Sequence, residues 1–396
     1  MALRIVVISD RTWPCDHAFL EEVIAKKLPS RGHHVSCVMP TLDPRAAGTH
    51  IWHGATAEAI YGSNRVLRQY RICKYLRKLL QKIECDVLLV RNDSITGTFA
   101  RYCKNIPMVF QLSHQKEETI LIQKNCMRKI GNILICITAK IGILFRRHIM
   151  KIADMVLPIS ISMLTVLQRT GERQSGMIPV PLGASSNVSC TGLSPEVLRK
   201  RLGISKDEIM LLYLGTLNSV RRLNALIDAI YYLYQYGQPA VLVFVGEGSS
   251  PNDRKHLEQY ACEMGVDRHV HFVGRIPRRE TIDYILAADY GISYFPSIPL
   301  FQQNSPTKVM EYLAHGLPVV CTPQPEQQYI VEQCNAGIIS DSDDPRDFAS
   351  AIISAIHANW NKNMIRDDFL ELRSFDVITD IVENALIEVV DNRARA

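Results

Sequence analysis

The chain has 396 residues and a mass of 44.8 kDa, a length that predicts two or three domains. Hydrophobic residues at 47% and charged residues at 21% exclude a disordered or collagen-like chain. Eleven cysteines, the nearest two being Cys126 and Cys136, form no Cys-x-x-Cys pair. Zinc ribbons and thioredoxin-type redox chemistry are therefore excluded, and free thiols without a secretory leader point to the cytoplasm.

The net charge of +5 is unevenly spread. Through Cys190 there are 26 Lys and Arg against 13 Asp and Glu, and the remainder carries 19 against 27. A basic first half suits phosphates or anionic lipid headgroups. Its cations are not interleaved with stacking aromatics, so nucleic acid is not expected as a partner.

Leu3 to Ser9 is a near-continuous apolar run, which reads as a strand buried on both faces. Asp16 can cap a helix running to about Leu28, and His34 to Met39 reads as the second strand. A basic helix follows, with Arg65, Arg68, Arg71, Lys74 and Arg77 at every third position. Strand Val87 to Val90, helix Ile95 to Cys103 and strand Met108 to Leu112 continue the alternation. Ile130 to Phe145 is too short to span a membrane and is flanked by Arg128-Lys129 and Arg146-Arg147. It either lies in a membrane interface or packs as a core helix.

The pattern restarts at strand Ile209 to Leu214, helix Leu223 to Tyr234 and strand Ala240 to Val245. Further strands, Val270 to Val273, Tyr290 to Tyr294 and Pro318 to Cys321, alternate with helices. Strand–helix alternation predicts doubly wound parallel sheets. Pro179 to Ser205, rich in Pro, Gly and Ser, marks the linker. The expected domains are 1–190, 191–375, and a last helix, 376–396, packing back on the first domain.

Several segments carry candidate chemistry. Gly215-Thr216 follows a strand, with Arg221 at the next helix start; this is either a diphosphate site or an ordinary tight turn. Val245-Gly246-Glu247-Gly248 is broken by Pro251 where a dinucleotide fingerprint needs its third glycine. In Asn304 to Val320, Ser305 and Pro306 read as N-cap and N1 of a helix. Lys308 and Glu311 share one face of it. That face could hold a ribose and its phosphates, or be a surface ion pair of little worth. Asp341-Ser342-Asp343 has metal-ligand spacing but precedes Pro345, where such residues cap helices, and no metal is expected. Ser113-His114 has no acid partner in sequence, so a hydrolase triad is unsupported.

The segment SPTKVMEYLAHGLPVV closely resembles the donor-site stretch of the family 4 glycosyltransferases. The resemblance extends, in the family's order, through YLGTLNSVRRLNALIDA, FVGEG, HVHFVGRI and AADYGISYFP. In the first half PCDHAFLEEVIAKKLPSRGHHV, KIADMVLPISISMLTVLQRTG and MIPVPLGAS match it, whereas Thr41 to Cys85 and Lys116 to Met150 do not. The resemblance implies the α/β GT-B fold, two Rossmann-like domains with parallel sheets facing across a cleft.

It also implies a retaining glycosyltransferase, taking a hexose-type sugar from a nucleotide-diphosphate sugar to a hydroxyl. Donor binding would fall to the second domain, through Gly215, Thr216, Arg221, Gly246, Gly274, Arg275, Gln303, Ser305, Pro306, Thr307, Lys308 and Glu311. Glu311 matches the second glutamate of the family's Glu-x7-Glu motif, and Gln303 stands in place of the first. Thr216 stands where the family has an arginine. His114 matches a histidine that reaches the donor sugar, and Asp16-His17 stand where many members have a glycine pair on the acceptor side.

No cofactor is implied, the UDP- or GDP-linked sugar being a substrate. The acceptor would be a glycan or a lipid-linked hydroxyl, with an anionic membrane surface met through 65–82 and 128–147 and a peripheral, cytoplasmic location. Thr216 and Gln303 favour one alternative, a non-catalytic partner subunit of the same fold. The other is a sugar-nucleotide epimerase.

Overall fold

The computed structural model describes residues 1–115, 117, 121, 130–186, 191–248, 250–299 and 301–395, without the side chains of 130–134 and 251. The chain forms two compact units. One is Met1–Leu182 with Phe375–Ala396, the other Gly183–Ser374.

The first unit is built on a seven-stranded sheet of order β3-β4-β2-β1-β5-β6-β7. Its strands are β1 (Arg4–Ser9), β2 (His34–Thr41), β3 (Gly48–Trp52), β4 (Ala55–Tyr61), β5 (Val87–Arg91), β6 (Met108–Leu112) and β7 (Met155–Pro158). All pairs are parallel except β3 with β4. The apolar run of β1 divides between two cores. Leu3, Ile5 and Val7 face one side, with the wide-turn helix α1 (Leu20–Lys27); Val6 and Ile8 face the other, with α2 (Arg65–Lys82). This two-sided burial is why the strand lacks polar alternation.

The last helix, Phe375–Arg395, joins the first of these cores through Phe375, Ile378, Val382, Ala385, Leu386 and Val389, a helical 3–4 spacing. Arg31 and His33 hold its Glu383 at 2.5 and 2.8 Å. No side chain caps α1, so Asp16 does not act as its cap; it is exposed in the preceding loop. The sequence reading also missed the β3–β4 hairpin. Small and polar residues alternate along this sheet edge, and the His53-Gly54 turn is its one local signal.

The apolar stretch lies in the helix Ile130–Ile152, one face of which packs in the core. Ala139, Ile149 and Met150 are buried, while Ile137, Ile141 and Leu144 are 48%, 45% and 64% exposed. The flank Arg128-Lys129 lies outside the described residues. Among the described residues no helix is long and apolar enough to cross a membrane.

The second unit has a six-stranded, wholly parallel sheet of order β10-β9-β8-β11-β12-β13. Its strands are β8 (Ile209–Leu214), β9 (Ala240–Val245), β10 (Val270–Gly274), β11 (Tyr290–Ser293), β12 (Val319–Cys321) and β13 (Gly337–Ile339). The short β13 was not legible from its three residues.

Candidate functional site

In the second unit the carboxyl ends of β8, β9 and β10 finish side by side on glycines. Gly215 donates its N–H to Val245 at 3.0 Å, and Gly246 donates to Gly274 at 2.9 Å. Gly246 has φ +147°, and a Cβ there would run into the Gly215 carbonyl, so only glycine lets the two turns meet. Thr216 and Arg275 beside these turns are exposed.

The helix carrying Lys308 and Glu311, Thr307–Ala314, sits next to this edge. It begins at Thr307, with Pro306 rather than Ser305 in the cap position and no side chain capping its first turn. Its register is set by Tyr312, whose hydroxyl donates to the Leu212 carbonyl at 2.9 Å and accepts the Leu214 N–H at 2.8 Å. Gly316, at φ +72°, ends the helix against the Lys362 carbonyl.

The sequence left open whether Lys308 and Glu311 form a surface pair. They do not. Lys308 is 6% exposed, and its Nζ has no hydrogen-bond partner. It lies 3.7 Å from the Tyr213 ring centroid and 5.1 Å from that of Phe295. Arg221, from the turn Ser219–Arg221, stands over Phe295 at 5.3 Å and Phe301 at 6.0 Å. Two basic side chains therefore share one aromatic wall, and among the described residues no carboxylate pairs with either.

Burial, and then the like charge of Arg221, hold the Lys308 amine well below its usual range. Burial pushes the Glu311 carboxyl upward, against the pull of Arg278, whose Nε lies 3.8 Å away. Arg278, at the start of the helix Arg278–Ala287, is thus a partner of Glu311. Gln303 is half-buried, Ser305 and Pro306 are buried, and Thr307 is exposed. A helix N-terminus, two basic side chains and backbone turns are the kinds of group that can hold an anion.

In the first unit, β1, β5 and β6 are neighbours, and their carboxyl ends gather polar residues. The Arg91 guanidinium, 2% exposed, donates to His17 Nε2 at 3.1 Å and lies 4.0 Å from Asp10. Asn92, in the left-handed region at φ +56°, reaches Ser113 Oγ at 2.6 Å and His114 Nδ1 at 3.5 Å. His17 and His114 are therefore in one polar cluster, while Asp16 points elsewhere as an exposed loop residue. Asp10, Arg91 and Asn92 were not singled out by sequence; the one signal is a charged pair of residues closing an apolar strand.

A cavity of about 400 Å³ adjoins this cluster, lined in part by Asp10, Arg65, Arg68, Gln69, Asn92 and Asp93. Among the described residues no group of three or more His, Cys, Asp or Glu is placed to hold a metal. Asp343 instead accepts the Ser297 N–H at 2.8 Å.

Residues 195–367 match the family model Glycosyl transferases group 1. The chain is 27% identical to a D-inositol 3-phosphate glycosyltransferase of Corynebacterium jeikeium, over 44% of this chain and 42% of that one. It is 26% identical to an alpha-monoglucosyldiacylglycerol synthase of Streptococcus pneumoniae, over 49% of this chain and 42% of the relative. The matched stretch spans less than half the length of these curated relatives.

Among solved structures, a sucrose-phosphate synthase from Thermosynechococcus elongatus aligns with TM-score 0.76 and 15% identity, over 98% of this chain and 100% of that one. Anabaena HepE in complex with UDP and glucose aligns with TM-score 0.72 and 16% identity, over 97% and 99%. The fold is GT-B, as the motif resemblance implied.

Proposed function

We propose that this protein is a retaining glycosyltransferase that moves a sugar from a nucleotide-diphosphate sugar to a hydroxyl acceptor. The observation that carries this reading is the pair Arg221 and Lys308, two cations without a carboxylate partner beside the open first turn of the Thr307 helix. A diphosphate is the anion whose charge matches two cations and a helix N-terminus. Glu311, one turn along, would accept the ribose hydroxyls, and the glycine turns at 215, 246 and 274 would let the nucleotide approach the backbone.

Catalysis would consist of stabilising the leaving diphosphate as negative charge develops on it. A group of this kind contributes about 10²–10³ in rate. The proposed acceptor region is the first unit's cavity beside Asp10 and Asn92, with His17 and His114 orienting the groups there. Exposed Ile137, Ile141 and Leu144, next to Lys140 and Arg147 on one helix, favour an acceptor presented at an anionic membrane surface. The likeness to the alpha-monoglucosyldiacylglycerol synthase of Streptococcus pneumoniae supports a lipid-linked class. We place the protein peripherally on the cytoplasmic face.

The test is release of nucleoside diphosphate from a panel of UDP-, GDP-, ADP- and CDP-sugars in the presence of a bacterial lipid extract. One donor class should be consumed, and Glu311→Ala and Arg221→Ala should each abolish the turnover. Absence of turnover with every donor, together with tight nucleotide binding, would favour a non-catalytic partner subunit. Turnover to an isomerised nucleotide sugar without transfer would favour an epimerase.

A further inference from the structure

The donor seat contains a feature that diphosphate binding alone does not account for. Lys308 is a buried amine whose three hydrogens have no acceptor, and a charged ammonium in that position would be costly. The faces of Tyr213 and Phe295 compensate only in part, since a ring face attracts a cation less strongly than a hydrogen-bonded carboxylate does. Arg221, on the same ring, adds repulsion.

The remaining groups around Lys308 do not relieve this. On its own helix Glu311 faces Arg278. From β8, the Tyr213 hydroxyl donates to the Thr216 carbonyl at 3.4 Å and is held protonated by burial. On β11 the Tyr290 hydroxyl donates to the Ala355 carbonyl at 2.9 Å, and on β12 burial keeps Cys321 a thiol. The helix Lys362–Arg373 packs on the Thr307 helix; there Arg366 pairs with Asp367 at 2.9 Å and Arg373 with Glu326 at 3.1 Å. Arg221 is the charge whose field acts on the Lys308 amine.

We infer that Lys308 waits between Tyr213 and Phe295 as a neutral amine and takes a proton from solvent when the donor diphosphate arrives. Donor binding is then coupled to proton uptake, and the second cation of the seat exists only in the loaded state. This inference rests on the nucleotide-diphosphate reading of the same site. It gives the aromatic wall a role: Tyr213 and Phe295 are positioning residues that hold the neutral amine beside Arg221 while the seat is empty. The balance is simple: the amine gains one proton, the buffer loses one, and no covalent bond to carbon or phosphorus changes.

The experiment is calorimetric titration of the full chain with UDP and GDP at about pH 8, where the nucleotide phosphates are already deprotonated, in buffers of differing ionisation enthalpy. The wild type should take up about one proton per nucleotide bound, and affinity should rise up to about tenfold for each unit that pH falls within the window. Lys308→Arg, permanently charged, and Lys308→Met, never charged, should both bind with an uptake near zero. Nucleotide binding without uptake, or uptake unchanged in both variants, overturns the inference and leaves the donor reading intact. Failure of the wild type to bind UDP, GDP, ADP or CDP overturns the donor reading and this inference with it.

Discussion

Each unit ends its sheet beside a buried basic side chain, and the two have opposite surroundings. Arg91 in the first unit has Asp10 at 4.0 Å, the His17 nitrogen at 3.1 Å and the Phe19 ring at 5.8 Å. Burial lowers its pKa to about 10, with Asp10 opposing, so the guanidinium is still charged at neutral pH. Lys308 in the second unit has aromatic faces and a second cation instead of a carboxylate. The difference shows what each serves. Arg91 has a carboxylate and an imidazole beside it within its own unit, although its Nε and Nη1 make no hydrogen bond, whereas Lys308 has neither beside it among the described residues.

That contrast can be broken by substitution. The largest expected effect is on Arg91→Met, which removes the guanidinium beside Asp10 and the donor to His17. Breaking a buried charge pair costs about 3 kcal/mol or more, so thermal unfolding should move down by several degrees while nucleotide affinity holds. Next is Arg221→Ala. The lost charge-assisted contact should weaken nucleoside diphosphate binding by about 1.5–3 kcal/mol, read by calorimetry, with little change in thermal stability.

Lys308→Met should do the reverse of Arg91→Met in the donor-free protein. An unpaired buried amine becomes an apolar side chain of similar length, so stability should rise by about 1 kcal/mol even as nucleotide affinity falls. The pH dependence follows the same sign. Because the folded amine titrates below its usual 10.5, the unfolded chain binds more protons in the window between the two values. Donor-free stability from this group therefore rises with pH there, by at most about 1.4 kcal/mol per pH unit, and denaturant titration at a series of pH values reads it.

The smallest expected effect concerns the first unit's surface. Ile141→Asp on the exposed helix face should reduce co-sedimentation with anionic vesicles without altering nucleotide binding. A variant that sediments like the wild type would remove the membrane element of the proposal.

Much of this was legible before any coordinates. β1, β8 and β9 announce themselves as apolar runs because both faces are buried, and the 3-residue spacing of Lys308 and Glu311 sets them on one helix. The β3–β4 hairpin was hidden, since the edge strand Gly48–Trp52 and its neighbour Ala55–Tyr61 are not apolar throughout. The aromatic wall was hidden for a different reason. Tyr213 and Phe295 are distant in sequence and meet because β8 pairs with β11. The same holds for Asp10 and Arg91, joined by the β1–β5 pairing. Local patterns reveal elements and motif residues; partnerships across a parallel sheet need the strand order.

The most direct test of the account is a thermal-shift titration of the full chain with UDP, GDP, ADP and CDP, beside Arg221→Ala and Glu311→Ala. Stabilisation by one of the four, lost in both variants, is the predicted result. No shift with any of them, or a shift that both variants retain, would contradict a nucleotide-sugar seat at Lys308 and Arg221.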